Sequence, residues 1–268
     1  MKLNTVYLAE NLDFLRSIKS NYIELIYIDP PFYSGVDYKE FLDKWPSLED
    51  YLEFMKERII EMHRVLKENG SFYMHCDASA IFVLKPLCDE IFGKEYFKRE
   101  IIWNVGSVSG FKSQVKGWVR QHDTILYYTK SDNYTFNKQY VPYRKEYVEK
   151  MFRYSDPDGR RYRKRRKGKQ YLDEKPGRVV GDVWNDIFSF QTTTRSKEYT
   201  GYPTQKPEKL LERIILASSN ENDIVADFFC GSGTTLIVAR NLNRKWIGTD
   251  NNPRAIQLCK ERFDKEEL

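Results

Sequence analysis

The stretch DIVADFFCGSGTTLIVARNLNRKWIGTD, residues 223–250, constrains the fold more than any other part of the chain. An apolar run ends at Asp227, a glycine turn and a helical pattern follow, and a second apolar run ends at Asp250. This strand–turn–helix–strand order is typical of a parallel sheet whose carboxyl edge holds a ligand. The pattern therefore predicts an α/β domain with a ligand site beside the turn.

Strand and helix patterns alternate through most of the chain. Strands are predicted at 24–29, 71–76, 100–104, 123–129, 223–228 and 244–250, and helices at 47–69, 78–92, 207–219, from 233 and from 253. The first long helix begins at Ser47, a typical N-cap residue, and ends before Gly70. Proline opens the helices at 207 and 253. This spacing favours a mainly parallel, Rossmann-like sheet with helices on both faces.

The segment 131–200 differs from the rest in periodicity and in charge. It holds 17 Lys and Arg against 10 Asp and Glu, a net charge of +7. The whole chain has a net charge of +5, so the remainder carries −2. Eight of the ten residues in RRYRKRRKGK (160–169) are basic, and tyrosines surround this run. A solvated loop is one interpretation, but arginine forks beside aromatic rings are typical of a groove for nucleic acid. We expect an insert that contacts nucleic acid.

The glycine turn after Asp227 indicates the kind of ligand. Gly231 and Gly233 let backbone approach a bound molecule, and Asp250, 23 residues after Asp227, is placed to bond ribose hydroxyls. The turn lacks the lysine of a P-loop, and Leu236 interrupts the G-x-G-x-x-G pattern. Glycines and acids without a phosphate-pairing base suit a cationic nucleoside such as S-adenosylmethionine. An ordinary strand-to-helix turn is the simpler alternative.

Composition argues against several other classes of protein. No apolar stretch approaches the roughly 20 residues that span a bilayer, and the first residues lack the layout of a signal peptide. The four cysteines show no C-x-x-C spacing, so neither a zinc site nor a disulfide framework is predicted. We therefore expect a cytoplasmic protein without a metal centre.

A second motif, IYIDPPFYSG, covers residues 27–36. An apolar strand ends at Asp29, two prolines stiffen the next residues, and two aromatic residues follow. Taken alone, this is a strand exit with a stiff turn. However, a D-P-P-F block followed about 200 residues later by D-x-F-x-G-S-G-T-T resembles the DNA amino-methyltransferases of the β class. In that family the catalytic block precedes the cofactor-binding block.

Further blocks in the expected order extend the resemblance over nearly the whole chain. They are LAENLDFL (8–15), GSFYMHCD (70–77), HDTILYYTK (122–130) and YPTQKPEKLL (202–211). Some positions depart from the family pattern. Phe228 stands where proline is common, Tyr202 where histidine is frequent and Asp250 where glutamate is common, while Glu10 and Asn11 replace a frequent Gly-Asp pair. None of these changes removes an essential chemical group.

The resemblance implies the class I S-adenosylmethionine-dependent methyltransferase fold with an inserted target-recognition region. Residues 1–130 would form the catalytic half, 131–200 the DNA target-recognition insert and 201–268 the cofactor-binding half. It also implies S-adenosylmethionine as the methyl donor and double-stranded DNA as the partner. A homodimer and a cognate restriction endonuclease are further expectations from the family.

The D-P-P-F block suits methylation of an exocyclic amine, whose lone pair is delocalised into the base. Asp29 and the carbonyl of Pro30 would accept hydrogen bonds from the amino group, and Pro31 helps to hold these acceptors rigid. Phe32 would stack on a base that has swung out of the duplex. The transfer would be direct and in line, so catalysis would come mainly from positioning and charge placement.

The remaining site residues follow from the resemblance and from the charge pattern. Cofactor contacts are implied for Asp29, Thr204, Lys206, Asp227, Phe229, Gly231, Gly233, Thr234 and Asp250. Lys206 would meet the methionine carboxylate, and a plain surface lysine is its alternative. DNA contacts are predicted for Arg161, Arg163, Lys164, Arg165 and Arg166. His75 and Cys76 are adjacent on a predicted strand and should face opposite sides, so both receive structural roles.

Three alternatives stay open at the level of sequence. The target could be N4 of cytosine, although in the family Asp at the first position of the block goes with adenine N6 more often. The chain could also be a DNA-binding protein that has lost turnover, but its acid and glycines are present. A third alternative is a methylase of RNA or protein, but the order of the blocks favours DNA as the substrate.

Overall fold

The structure is a computed structural model that describes residues 1–38, 41–106, 114–174, 177–190 and 196–265. The chain divides into two compact units. The first comprises residues 1–137 and the segment from Asp182 onward, and the second is Lys138–Gly181. The second unit lies within the predicted insert, and residues 182–190 belong to the first unit.

The elements have the following bounds in chain order. The strands are β1 (Thr5–Leu8), β2 (Ile23–Ile28), β3 (Asp37–Tyr38), β4 (Phe41–Leu42), β5 (Leu66–Cys76), β6 (Phe97–Asn104), β7 (His122–Thr129), β8 (Tyr140–Val141), β9 (Tyr154–Ser155), β10 (Arg161–Arg165), β11 (Gly168–Tyr171), β12 (Arg178–Val179), β13 (Val183–Trp184), β14 (Ile224–Asp227) and β15 (Lys245–Asp250). The helices are α1 (Asn11–Ser17), α2 (Leu48–Val65), α3 (Ile81–Phe92), α4 (Lys145–Met151), α5 (Glu208–Ser218), α6 (Thr234–Asn241) and α7 (Pro253–Lys265), with a 3₁₀ turn at Lys94–Tyr96. Within the described ranges, no helix is both long and apolar enough to cross a membrane.

The central sheet of the first unit contains eight strands among the described residues, in the order β1-β15-β14-β2-β5-β7-β6-β13. The strands from β1 to β5 in this order pair in parallel, β7 is antiparallel to both of its neighbours, and β13 is parallel to β6. The predicted mainly parallel α/β sheet is therefore confirmed. Its topology brings the carboxyl ends of β2, β14 and β15 to one edge.

Helices cover both faces of this sheet, as predicted. Successive side chains of β5 point to opposite sides, so Phe72 stacks on Phe92 of α3 whereas the Tyr73 hydroxyl is hydrogen-bonded to Ser218 of α5 at 2.7 Å. The apolar side chains of α1, α2 and α3 join one core with Phe72 and with Cys76. The neighbouring side chain of His75 has other partners, the Tyr27 hydroxyl and the Asp123 carboxylate, so His75 and Cys76 do not converge on one site.

The predicted end of the first long helix is wrong. Ser47 is its N-cap and accepts a hydrogen bond from Asp50 N, but α2 ends at Val65 and the chain turns extended at Leu66. Leu66 is already paired with Ile23 at the start of β5. A Cβ at Gly70 would lie 2.8 Å from the carbonyl oxygen of Lys67, so this glycine permits a close backbone approach inside β5 and does not stop a helix.

The second unit has small antiparallel sheets of its own. Strands β9, β10 and β11 form one sheet, and β8 pairs with β12. Three tyrosines lie side by side on the first sheet, with ring centroids 5.6 Å apart for Tyr154 and Tyr162 and 5.7 Å apart for Tyr162 and Tyr171. Sequence periodicity did not indicate these strands, because they are only two to five residues long.

Candidate active site

A cavity of about 550 Å³ lies at the edge where β2, β14 and β15 end. Nine predicted site residues line it, namely Asp29, Pro31, Thr204, Lys206, Asp227, Phe229, Gly231, Thr234 and Asp250. Pro30, Phe32 and Gly233 are not part of its lining. The fold thus brings the D-P-P-F block and the glycine turn, about 200 residues apart in sequence, to one cavity.

The two glycines of the turn have different roles in the structure. Both have positive φ, +48° at Gly231 and +79° at Gly233. Gly231 lines the cavity, and its α-carbon faces the ring of Tyr202. A Cβ at Gly233 would instead overlap Sγ of Cys259 in α7, so this position serves the packing of helices behind the turn.

Asp227 is a buried carboxylate that organises the turn. It accepts hydrogen bonds from Phe229 N at 3.0 Å and from the Thr235 hydroxyl at 2.6 Å. Burial raises the pKa of Asp227 to about 7, against the lowering effect of these two donors.

Asp250 joins the end of β15 to the same turn. Its carboxylate accepts from Gly231 N at 2.9 Å and from Asn252 N at 2.9 Å, one bond on each oxygen. Burial raises the pKa of Asp250 as well. Each carboxylate oxygen has a second lone pair available for a hydroxyl of a ligand.

Asp29 meets Lys206 across the cavity. Lys206 Nζ donates to Oδ2 of Asp29, and both side chains are largely buried. The other oxygen of Asp29, Oδ1, is buried and has no hydrogen-bond partner among the described residues. A buried acceptor without a donor is costly in a protein, so this atom is the clearest candidate for contact with a substrate.

The loop after Asp29 is held by residues that sequence reasoning missed. Asp43, only 1% exposed, accepts hydrogen bonds from Tyr33 N at 2.8 Å, from Ser34 N at 3.1 Å and from the Ser34 hydroxyl. The Tyr51 hydroxyl donates to the carbonyl of Pro31 at 2.8 Å. Tyr33 has φ +58°, an unfavourable conformation for this residue that the surrounding bonds must stabilise. No sequence signal marks Asp43, because its partners are found only in the folded loop.

A buried polar network lies behind Phe32. The His75 ring stacks near Phe32 with centroids 6.3 Å apart, and its nitrogens are hydrogen-bonded to Tyr27 Oη at 3.1 Å and Asp123 Oδ2 at 3.0 Å. Arg120 forms an ion pair with the other oxygen of Asp123. The structural role predicted for His75 therefore extends to support of the D-P-P-F block. Within the described ranges, no group of three or more His, Cys, Asp or Glu side chains could hold a metal.

Two buried arginines brace the cofactor side of the cavity. Arg58 donates to Oδ1 of Asn11 at 2.7 Å, and Asn11 in turn donates to the carbonyl of Phe228 at 2.9 Å. Arg262 of α7 donates to the Ser232 carbonyl at 2.9 Å and to Glu208 at 2.8 Å, which ties the glycine turn to the start of α5. Neither arginine belongs to a motif, so sequence patterns gave no indication of these contacts.

The predicted DNA-contact residues of the second unit fall into two groups. Arg161 donates to carbonyls at the end of α4, and Arg163 is buried with hydrogen bonds to Gln170 and Tyr147. The basic tip, defined here as residues 164–167, is exposed. The structure thus gives Arg161 and Arg163 internal contacts and leaves Lys164, Arg165 and Arg166 at the surface.

Comparison with solved structures identifies the class of this fold. The solved structure of M1.HpyAVI in complex with S-adenosylmethionine superposes with a TM-score of 0.62 over 97% of this chain and 98% of that chain, at 21% identity. The cytosine-N4-specific PvuII DNA methyltransferase gives a TM-score of 0.63 over 97% of this chain and 86% of that one, at 19% identity. The fold is therefore that of the α/β methyltransferases.

The sequence comparisons identify the family. A family model described as DNA methylase, covering N6 and N4 methyltransferases, matches residues 23–261. The type II methyltransferase M.HpaI of Haemophilus parainfluenzae is 35% identical over 94% of this chain and 71% of its own length. The DNA adenine methyltransferase YhdJ of Escherichia coli K12 is 32% identical over 97% of this chain and 82% of its own length. The chain belongs to the N6/N4 family of DNA methyltransferases, which use S-adenosylmethionine.

Proposed function

We propose that this enzyme methylates the exocyclic N6 of adenine in duplex DNA, with Asp29, Pro30, Pro31 and Phe32 as its catalytic block. The observation that carries the proposal is Oδ1 of Asp29, a buried oxygen that has no hydrogen-bond partner among the described residues and belongs to a residue that lines the cavity. That oxygen is an acceptor in need of a donor, and an amino group supplies one. Asp at the first position of the block and the likeness to an adenine methyltransferase favour adenine over cytosine.

The chain's own residues would carry out the reaction by positioning. Asp29 and the Pro30 carbonyl would accept both hydrogens of the amino group and turn its lone pair away from the base. The bond from Tyr51 to Pro31 keeps the peptide backbone of the block in place. Phe32, supported by His75, would stack on the flipped base. Such alignment of reacting groups supplies a large part of the barrier lowering in direct transfers.

The cavity suits S-adenosylmethionine. Its lining includes four carboxylates, Glu10, Asp29, Asp227 and Asp250, and one lysine among the described residues, so it favours a cation over a phosphate. Asp250 would bond the ribose hydroxyls, and Phe229, Gly231, Thr234, Asp227 and Thr204 would complete the site, with Gly233 supporting it from behind. When bound, the cofactor supplies an electrophilic methyl group.

The second unit, Lys138–Gly181, would serve target recognition within the wider insert 131–200. Its exposed basic tip, residues 164–167, can pair with phosphates, and tyrosine rings lie beside it on the same small sheet. We keep Lys164, Arg165 and Arg166 as proposed DNA contacts. Double-stranded DNA is the proposed partner, and a homodimer and a cognate endonuclease stay predictions from the family.

The test is transfer of labelled methyl from S-adenosylmethionine to mixed-sequence duplex DNA, followed by digestion to nucleosides. Label in N6-methyladenine is the expected result. Label in N4-methylcytosine would replace the proposal with the cytosine alternative. A parallel reaction with RNA completes the test, because label in RNA and none in DNA would exclude both. Asp29→Ala should abolish transfer while cofactor binding is largely kept, and an equal loss of cofactor affinity would show that the role of Asp29 is misplaced.

A further inference from the structure

Lys206 makes a contact that its predicted role at the cofactor carboxylate does not require. Its ammonium donates to Oδ2 of Asp29 and, at 3.2 Å, to the carbonyl of Thr204. The side chains are 12% exposed for Lys206 and 14% exposed for Asp29, so water hardly screens the pair. An ammonium has three donors, and two of them are already used inside the protein.

The backbone that carries Lys206 is fixed by partly buried polar contacts. The side-chain oxygen of Gln205 accepts from Thr200 N at 2.8 Å, and its amide donates to the Glu198 carbonyl at 2.6 Å. The Glu198 carboxylate accepts from Glu208 N at 2.9 Å, at the start of α5. The lysine is therefore presented to Asp29 by an ordered loop, and the pair does not depend on a freely moving side chain.

Acidic and weakly acidic groups surround this pair. The charge of Asp29 acts on Asp227, on the Tyr27 phenol and on the Cys76 thiol, and the charge of Lys206 acts on Asp123. Carboxylates that share a buried region repel one another, because little water screens their charges. Lys206 offsets this repulsion at the point where the reaction needs a carboxylate.

The pair also distinguishes the two oxygens of Asp29. Oδ2 already accepts a hydrogen bond from Lys206, whereas the buried Oδ1 has no donor among the described residues, so Oδ1 is the acceptor that a substrate amino group would satisfy. We propose that Lys206 is a positioning residue for Asp29, which it orients toward the amino group of the target base, and that the cofactor carboxylate is not its main partner. This inference rests on the proposed role of Asp29 in methyl transfer.

The test combines one substitution with one change in the cofactor. Dissociation constants are measured by calorimetry for S-adenosylmethionine and for its decarboxylated form, with wild type and with Lys206→Gln. We expect removal of the carboxylate to weaken binding by the same factor, within about threefold, in both proteins, because the two changes act on independent contacts. Single-turnover methyl transfer should fall about a hundredfold in Lys206→Gln with either cofactor, since Asp29 loses its alignment.

Two results would overturn the inference. One is that wild type binds the decarboxylated cofactor at least tenfold more weakly than S-adenosylmethionine, whereas Lys206→Gln binds both equally. That result would make the cofactor carboxylate the partner of Lys206. The other is an unchanged transfer rate in Lys206→Gln. Lys209→Gln is the matched control, because Lys209 is exposed, lies three positions further on and donates to the carbonyl of Asp186 at 3.2 Å, away from Asp29. It should match wild type in every measurement.

A failure of the proposed function would look different from a failure of this inference. Wild type would then give no N6-methyladenine. The four dissociation constants do not depend on turnover, so they would still decide whether Lys206 binds the cofactor carboxylate.

Discussion

Asp43→Asn tests whether the loop after Asp29 is positioned by a buried carboxylate outside the motif. In the native loop, one oxygen of Asp43 accepts from Tyr33 N and the other from Ser34 N and the Ser34 hydroxyl. Asparagine has a single acceptor oxygen, so in either orientation its amide group faces a backbone N–H. We therefore expect one buried donor to lose its partner.

The size of the expected loss of activity follows from these contacts. An unsatisfied buried donor costs about 1–3 kcal/mol, and the strained φ of Tyr33 would lose part of its support. A total near 2 kcal/mol lowers the equilibrium ratio of native to displaced loop about 30-fold. The catalytic efficiency of methyl transfer should fall by up to about that factor. Asp43→Ala, which removes all three acceptor contacts, should cause a larger loss, and Ser34→Ala, which removes one hydroxyl bond, a smaller one.

The assay is steady-state methyl transfer to duplex DNA together with calorimetric binding of S-adenosylmethionine. Cofactor affinity should stay within about twofold of wild type, because Asp43 does not line the cavity. Asp37→Asn is the control, since Asp37 is exposed in β3, which follows this loop. Full activity in Asp43→Asn, or a parallel loss in Asp37→Asn, would refute the positioning role.

Three further predictions concern the turn, its acid and the basic tip. Gly233→Ala should destabilise the protein by about 2–4 kcal/mol and weaken cofactor binding, because the new methyl overlaps Cys259 and φ is +79°; a melting curve and a dissociation constant check this, and an unchanged melting temperature would contradict it. The pKa of Asp227, about 7, lies above the value near 4 of an unfolded chain, so stability from its protonated form is full below pH 4 and is lost as the pH rises through 7. In urea unfolding, the free energy of unfolding of Asp227→Asn minus that of wild type should therefore rise by about 3 kcal/mol between pH 5 and pH 8. A difference that stays constant across this range would argue against the raised pKa. Neutralising residues 164–166 with glutamine should reduce the slope of log affinity for DNA against log salt concentration by about one for each phosphate that the protein no longer neutralises. Arg163→Gln should instead lower the stability of its own unit, and a salt slope that responds only to Arg163→Gln would reverse the assignment.

Local patterns were sufficient for the framework of the site. Alternating strands and helices predicted the parallel sheet, and the acids at 29, 227 and 250 each follow an apolar run. Parallel strands place their carboxyl ends at one edge, so three acids at three strand ends had to meet there. Motif order then pointed to the family, which the comparisons confirmed.

Contacts between distant segments were decided only in the folded chain. Lys206 and Asp29 are 177 residues apart, and Arg58 and Asn11 are 47 apart. Arg163 was predicted to be a DNA contact from composition, and the folded chain buries it against Gln170 and Tyr147. The helix α2 ends earlier than its sequence pattern predicts for a similar reason. Leu66 fits the helical period, but its pairing with Ile23 of β2 outweighs that local preference. Local periodicity reports which face of an element is apolar, whereas the partner of each polar atom depends on strand register and loop packing.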